Sequence, residues 1–412
     1  MSTRPSALPA AEAVPARGRV RAALLAQVAL VAAALTLYLL VVVQATGRHQ
    51  DFNAYLRAAS DLWDGRPLYA TFLNHPFPDA TLRPAFIYPP TFALLVAPLA
   101  LLPGQVGALI WLALCQACLI GALALVLRAT RPGAWATTAL LCATFTFYPL
   151  WVDAIQGQAN LPILLLVTAG ILATVQGRPH WAAGIGVAAA FKLTPLLLLV
   201  WLLLERRFRA VGFLLAGFAA ATAAGVAVRP EDSFTFFTRV LPALAKGTAF
   251  YGNHSLGGIL DRILSPNPYT QPWVSTSLAT AVALLGCLLL LAWWLWRGRQ
   301  DSALSGALAF LPLLPLISTL TWSHHLVILL PVIWLAIGSL ARRNWPLAET
   351  GCLVAISLSL SLMARLPLGP AFGQPGFTAA QTMDPLVFLF ANCLFIGTLI
   401  LFLTGPWLLR SR

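Results

Sequence analysis

The sequence predicts an all-α polytopic membrane protein of about twelve transmembrane helices, with both termini in the cytoplasm. Three observations carry this. The 412-residue chain is 59% hydrophobic and only 9% charged. Apolar runs of about twenty residues recur, the length that crosses ~30 Å of hydrocarbon. The arginines gather in the breaks between those runs, as cytoplasmic loops require, while none of the thirteen carboxylates has to sit inside a span. A net charge of +13 and a pI near 10.3 then reflect orientation in a membrane. No nucleic-acid partner is expected.

Residues 1–21 are rich in Ala, Pro and Arg and predict a disordered cytoplasmic segment. Residues 22–412 predict a single transmembrane domain. Its first run, 22–45, follows Arg17, Arg19 and Arg21. It is too long for a signal-peptide core and lacks a small-residue cleavage site, so it reads as a retained anchor. Later runs fall at 105–127, 134–150, 158–176, 181–204, 210–228, 275–296, 302–320, 326–340, 346–364 and 385–408. Basic clusters at Arg128/Arg131, Arg178, Arg206/Arg207/Arg209, Arg297/Arg299, Arg342/Arg343 and Arg410/Arg412 mark the inside.

Two runs break the alternation. The run 181–204 has arginine at both ends, and its centre reads FKLTP. A hairpin of two short helices satisfies both facts, because proline disfavours an unbroken helix there. Each arm would rise about 16 Å, half a bilayer, with Lys192 near the apex and free to snorkel outward. The run 86–103 would place Arg128 and Arg131 outside if it spanned. It is therefore expected as an interfacial helix that starts at Pro89–Pro90 and lies on the outer leaflet. The outer loops are 46–104, 229–274 and 365–384. In the first, Tyr55, Leu56, Ala59, Leu62 and Trp63 have the helical spacing of an amphipathic surface helix.

All six cysteines lie in apolar runs, so no disulfide framework is expected. The CxxC spacing of Cys115 and Cys118 reads as small residues packed on one helix face.

Lys192 is the one ionisable side chain forced to membrane depth, which makes it a functional candidate by cost alone. Its natural partner is an anion at the outer interface, a lipid phosphate head or a nearby Asp. His324 and His325, in STLTWSHHLVILLP, stand at a helix mouth. They suit a phosphate, a metal or simple capping. Metal is the weaker reading, because adjacent helical residues diverge by about 100° and no HxxxH spacing is present. Gln158 and Asn160, in the loop WVDAIQGQAN, suit either a polar ligand or a helix cap. Asn253, His254 and Ser255 lie among Gly252, Gly257 and Gly258, a composition that fits ligand approach or an ordinary turn. Tyr88 precedes Pro89–Pro90 and also fits an interfacial anchor. Asp51 is the first acid after the first apolar helix.

Taken in order, DFNAYLRAASDLWDGRPLY, YPP, GQANLPILLL, KLTPLLLL, GNHSLGGILDR and WSHHLV resemble the membrane glycosyltransferases of family 87, in the GT-C superfamily. Each motif is weak alone; their order over more than 270 residues is what carries the resemblance. It implies a GT-C-like helical bundle in a bacterial plasma membrane, active on the outer face. The donor would be a polyprenyl-phosphate sugar and the acceptor a lipid-linked glycan. Transfer of mannose in alpha-1,2 linkage is the implied activity, with arabinofuranose transfer the alternative. The resemblance puts Asp51 in the place of the catalytic acid, a general base on the acceptor hydroxyl. Lys192, His324 and His325 fall around the donor phosphate. Tyr88, Gln158, Asn160, Asn253, His254 and Arg262 are the implied substrate-binding residues. No cofactor or divalent metal is expected, since protein cations can meet a monophosphate leaving group. A flippase or transporter is the rival reading. It would distribute polar groups along a path, whereas here they gather at one face.

Overall fold

The computed structural model describes residues 14–47, 49–74, 84–298, 302–362 and 385–410, and these contain helices and turns but no strand. The first helix, α1 (Val14–Ala45), begins inside the segment expected to be disordered; residues 1–13 lie outside the described residues. Leu24, Leu25 and Val28 on α1 are exposed, which suits a helix facing lipid tails rather than the bundle interior.

Three short helices follow: α2 (Gln50–Trp63), α3 (Ala70–Asn74) and α4 (Pro90–Val96). The apolar stripe expected on α2 is present, and part of it is turned into the protein, with Trp63 left largely exposed. Tyr55 and Ala59 are buried, and the indole of Trp63 donates to the Ala97 carbonyl. Helix α4 starts at Pro90, as expected, because proline is pre-organised for the first turn. With the 3₁₀ turn behind it, it spans Pro90–Leu101, about 18 Å at 1.5 Å per residue, so it cannot cross a bilayer. Its first turns pack against the protein, while Leu95 and Leu101 stay exposed. Thr91, Phe92, Ala93 and Val96 are buried, and Thr91 donates to the Ala221 carbonyl.

Helix α5 (Gly104–Thr130) runs full length and ends at Arg131 in the left-handed region. α6 (Ala134–Phe145) and α7 (Tyr148–Gln156) form one path bent by 46°. The stretch WVDAIQ, expected as loop, is therefore helical, and Asp153 sits within a bent candidate span. α8 (Asn160–Val175) returns, packed on α5.

The hairpin is present. α9 (Ala182–Phe191) ends at an extended Lys192, a 3₁₀ turn follows, and α10 (Leu198–Leu204) leads to α11 (Phe208–Val228). Direction is fixed by contacts. His180, before α9, meets Phe213 near the start of α11, while Phe191 meets Phe92, whose neighbour Thr91 bonds Ala221 near the end of α11. α9 thus runs parallel to α11, and α10 must turn back. The α9–α11 contact depends on glycine. A Cβ on Gly186 would lie 2.0 Å from the Leu214 carbonyl oxygen, and one on Gly217 2.3 Å from that of Ala183. Small residues of this kind let membrane helices approach backbone to backbone.

Beyond lie α12 (Pro230–Thr235), α13 (Leu241–Ala245) and α14 (Leu256–Leu264), the last capped by Ser255 Oγ. Then come α15 (Ala279–Trp293), α16 (Ala303–Phe310) and α17 (Leu313–Ile317). α18 (Leu330–Arg342) is buried from Leu330 to Leu340 and forms the centre of the bundle. α19 (Leu347–Ser357), α20 (Pro385–Ala391) and α21 (Cys393–Leu408) complete the chain. Glu349 takes Arg343 at 3.1 Å and Arg410 at 2.6 Å, tying α18, α19 and the C-terminal segment together at the arginine-rich end. The loop 365–384, expected on the outer side, lies outside the described residues.

Among the described residues, five helices are long and apolar enough to cross a membrane, or up to seven if each bent pair is one span. The remaining apolar helices, α8 among them, are 10–17 residues long. By the positive-inside rule the arginine-rich end is expected to be cytoplasmic. Single cysteines at Arg57 and Glu231 should then react with an impermeant maleimide applied from outside, in a background lacking the native cysteines. Cysteines at Arg131 and Arg206 should stay protected until the membrane is opened. Outside labelling at 131 would overturn this orientation.

Candidate active site

A cavity of about 450 Å³ opens at the end of the bundle opposite the arginines. Four backbone features bring polar groups to it. α2 supplies Asp51 and Tyr55, the turn before α4 supplies Tyr88, the α7–α8 turn supplies Gln158, and the hairpin break supplies Lys192. A 3₁₀ segment leading into α18 adds Ser323, His324 and His325. Phe236, Leu241, Leu244 and Phe250 make an apolar wall.

The α7–α8 turn organises the polar wall. Gly157 ends α7 at φ 68°, a conformation glycine adopts without a Cβ penalty. Its carbonyl accepts from the Trp111 indole at 3.0 Å, and Phe52 stacks on that indole. Two buried amides follow, Gln158 and Asn160. Gln158 Nε2 donates to Asp51 Oδ2 at 2.5 Å, and its Oε1 accepts from the hydroxyls of Tyr55 (2.9 Å) and Tyr88 (3.0 Å). Asn160 Oδ1 accepts from Lys192 Nζ at 2.9 Å, while its Nδ2 donates to Asp153 Oδ1 at 2.8 Å. Lys192 Nζ also lies 5.9 Å from the centroid of the Tyr88 ring. The amide orientations follow from chemistry, since a carboxylate only accepts and an ammonium only donates.

Burial raises the Asp51 carboxyl above its ordinary value, and the Gln158 hydrogen bond and the Lys192 charge pull the other way. An oxygen held by one amide and otherwise turned to a partly open cavity can accept a proton from a bound hydroxyl.

His324 is buried and His325 half-buried, their rings 4.6 Å apart at 73°. The Trp322 backbone N–H donates to His325 Nδ1 at 3.3 Å. Both rings line the cavity, at the start of the helical path into α18 and not at the end of α17.

Asp51, Tyr88, Gln158, Lys192, His324 and His325 thus share one cavity, and Asn160 stands directly behind Lys192. Asn253, His254 and Arg262 stand behind the wall instead. Asn253 bonds the carbonyls of Thr248 and Thr319 and the backbone N–H of Thr321. Arg262 grips the carbonyls of Phe250 and Asn253 and Asn392 Oδ1. His254 Nε2 lies 3.1 Å from Ser323 Oγ. Burial first, then the Arg262 charge, push His254 down to about 3, so its ring is neutral. These three hold the loops that carry Phe250, Gly252 and Ser323.

Sequence reasoning missed Tyr55, Ser323 and Asp153 as parts of this region. Tyr55 was absorbed into the surface-helix pattern, and Ser323 lay beside the more conspicuous His pair. Asp153 carried a usable signal: an acid seven residues before Asn160, with amides at 156 and 158, in a stretch otherwise apolar.

The model of Glycosyltransferase family 87 matches residues 86–319. The match therefore contains Tyr88, Gln158, Asn160 and Lys192 but neither Asp51 nor the His pair. The chain is 31% identical over 306 residues, 71% of its length and 67% of the relative's, to a polyprenol-phosphate-mannose-dependent alpha-(1-2)-phosphatidylinositol pentamannoside mannosyltransferase of Mycobacterium tuberculosis. It is 30% identical over 323 residues, 72% of each chain, to a polyprenol-phosphate-mannose-dependent alpha-(1-2)-phosphatidylinositol mannoside mannosyltransferase of the same species. An alpha-(1->3)-arabinofuranosyltransferase of that species is 30% identical over 216 residues, half of this chain and 48% of its own. No solved structure matches.

The Gly157 turn has a direct test. A Cβ there would lie 2.8 Å from Phe52 Cβ, at a positive φ. Gly157→Ala should cost about 1–3 kcal/mol, read as a lower unfolding temperature of the detergent-solubilised protein. An unchanged midpoint would show that the turn tolerates a side chain.

Proposed function

The chain belongs to glycosyltransferase family 87, and from that premise we propose that it transfers a sugar from a polyprenyl-phosphate donor to a lipid-linked acceptor at the outer face of a plasma membrane. The observation that carries this reading is a carboxylate, Asp51, and an ammonium, Lys192, lining the same cavity at one end of a membrane bundle. Mannose in alpha-1,2 linkage is the proposed activity, after the names of the mannosyltransferase relatives, which are matched over more of the chain than the arabinofuranosyltransferase. A phosphatidylinositol mannoside is the proposed acceptor on the same ground. Arabinofuranose is the second reading, supported by the shorter match to an arabinofuranosyltransferase. About twelve membrane helices, with the hairpin arms counted separately and both termini cytoplasmic, is the proposed topology.

In this mechanism the acceptor hydroxyl binds beside Asp51. The carboxylate takes its proton as the oxygen attacks the anomeric carbon. The bond from that carbon to the phosphate oxygen breaks, and the electron pair leaves on the lipid phosphate. Lys192, with a donor from the His324–His325 pair, meets the growing charge. One displacement inverts the anomer. In this reading Lys192 supplies the positive charge and a neutral imidazole N–H adds a hydrogen bond, so no divalent ion is required. The apolar wall of Phe236, Leu241, Leu244 and Phe250 accommodates the first isoprene units.

Purified protein incubated with radiolabelled polyprenyl-phosphate mannose or arabinose and phosphatidylinositol mannoside acceptors tests the assignment. Transfer from neither donor would sink it.

Asp51→Asn keeps size but removes the base, so turnover should fall by about 10²–10⁴-fold with donor binding retained. Near-normal turnover would exclude Asp51 as the base. In the parent enzyme kcat/KM should fall as pH drops through the raised pKa of Asp51, above the ordinary value near 3.9. Gln158→Leu removes the hydrogen bond that favours the carboxylate, so this acid limb should move to higher pH. A limb that stays put would place the titration elsewhere.

Lys192→Met keeps the apolar stem and removes the charge. Donor KM should rise about ten-fold or more, with acceptor KM little changed. Unchanged donor KM would leave Lys192 structural.

A further inference from the structure

We propose that Asp153 is the positioning residue for Lys192, acting through the Asn160 amide, and so fixes where the donor phosphate is held. This rests on the donor-phosphate reading given above. Asp153 is 1% exposed on the last turns of α7 and does not line the cavity. The chemical step makes no use of it.

The polarity of the chain leads to Asp153. An ammonium has three donors and no acceptor, so the atom of Asn160 that faces Lys192 must be Oδ1. The Nδ2 then points away from the cavity into the bundle, where it needs an acceptor. Asp153 Oδ1, at 2.8 Å, provides it. Without that acceptor the Nδ2 hydrogens would be buried unpaired, and Lys192 alone would hold the amide in this orientation. Rotated by half a turn, it would set N–H groups against the ammonium and release Lys192 from its anchor.

A purely structural role explains less. Asp153 Oδ2 has no hydrogen-bond partner among the described residues. A buried carboxylate with one idle oxygen is an expensive way to close a helix turn. A site with a cation to aim has a use for it. The two-residue spacing of Gln158 and Asn160 then gives the turn two relays of opposite polarity. One presents a donor to Asp51 and the other an acceptor to Lys192.

The test measures donor KM and acceptor KM separately for Asp153→Leu, Asp153→Asn, Lys192→Met and the Asp153→Leu/Lys192→Met pair. Asp153→Leu should raise donor KM about ten-fold or more and leave acceptor KM within about two-fold. Asp153→Asn retains a carbonyl that accepts from Asn160 Nδ2, and should stay within about three-fold of the parent. In the Lys192→Met background, Asp153→Leu should add nothing, because the two act on one interaction. Should Asp153→Leu not accumulate folded, Asn160→Leu breaks the same chain and carries the same expectations. An unchanged donor KM in Asp153→Leu, additive effects in the pair, or Asp153→Asn as severe as Asp153→Leu would overturn the inference while Lys192→Met still raises donor KM. An unchanged donor KM in Lys192→Met would overturn the donor-phosphate reading itself, and this inference with it.

Discussion

An ammonium group inside an apolar bundle sets the terms for the rest of this protein. Placing a lysine at the centre of a membrane helix costs at least ~2.5 kcal/mol on insertion scales. A hydrogen bond to a charged group returns about 1.5–3 kcal/mol. The two are of one size, so an acceptor such as Asn160 Oδ1, 2.9 Å from Nζ, offsets much of the cost of Lys192. The need for an acceptor at that point fixes the α7–α8 turn, and the turn in turn brings Gln158 to Asp51. The polar wall is one connected object rather than a set of separately placed side chains.

The hairpin that carries Lys192 depends on the same economy of space. Its first arm has ten residues, about 15 Å, so its apex ends partway through a bilayer. An arm that short cannot be held by length, and it is held by contact. Gly186 and Gly217 remove the side chains that would keep α9 and α11 apart. α4 closes the same pocket from the other side, with Phe92 against Phe191. Behind them Arg262 and Asn253 brace the loops of the opposite wall.

The features legible in the sequence were those governed by composition and charge. Arginine at both ends of 181–204 revealed the hairpin, since no single crossing satisfies that pattern, and the isolated lysine at its apex was conspicuous by cost. Gln158 and the His pair stand out as polar residues in apolar surroundings, Asp51 and Tyr88 are implied by the family resemblance, and all five line one cavity. What sequence could not supply was the partner of each apolar face. The stripe on α2 and the helix after Pro89 have the periodicity of lipid-facing elements, and periodicity does not say whether lipid or protein covers it. Protein covers Tyr55 and Ala59 on the first and Thr91, Phe92, Ala93 and Val96 on the second, while Trp63 and Leu95 stay exposed. The roles of Asn253, His254 and Arg262 were hidden for a related reason. Their bonds run to carbonyls distant in sequence, such as Thr319, which no local motif records. Asp153 went unread because a bend of 46° turns what resembles a loop into helix.

Carrying both amides on one turn has an evolutionary consequence. A substitution that displaces Gly157 displaces Gln158 and Asn160 together, so base and cation cannot be adjusted independently by drift in this region. New sugar or acceptor preferences have to arise elsewhere, on surfaces that can change without disturbing the relays. The wall formed by Phe236, Leu241, Leu244 and Phe250 is such a surface, because none of its side chains takes part in the hydrogen-bonded chains. The cavity is thereby divided into a half tied together by hydrogen bonds and a half whose side chains can change without breaking them. That division suits a family whose relatives carry the names of different sugars.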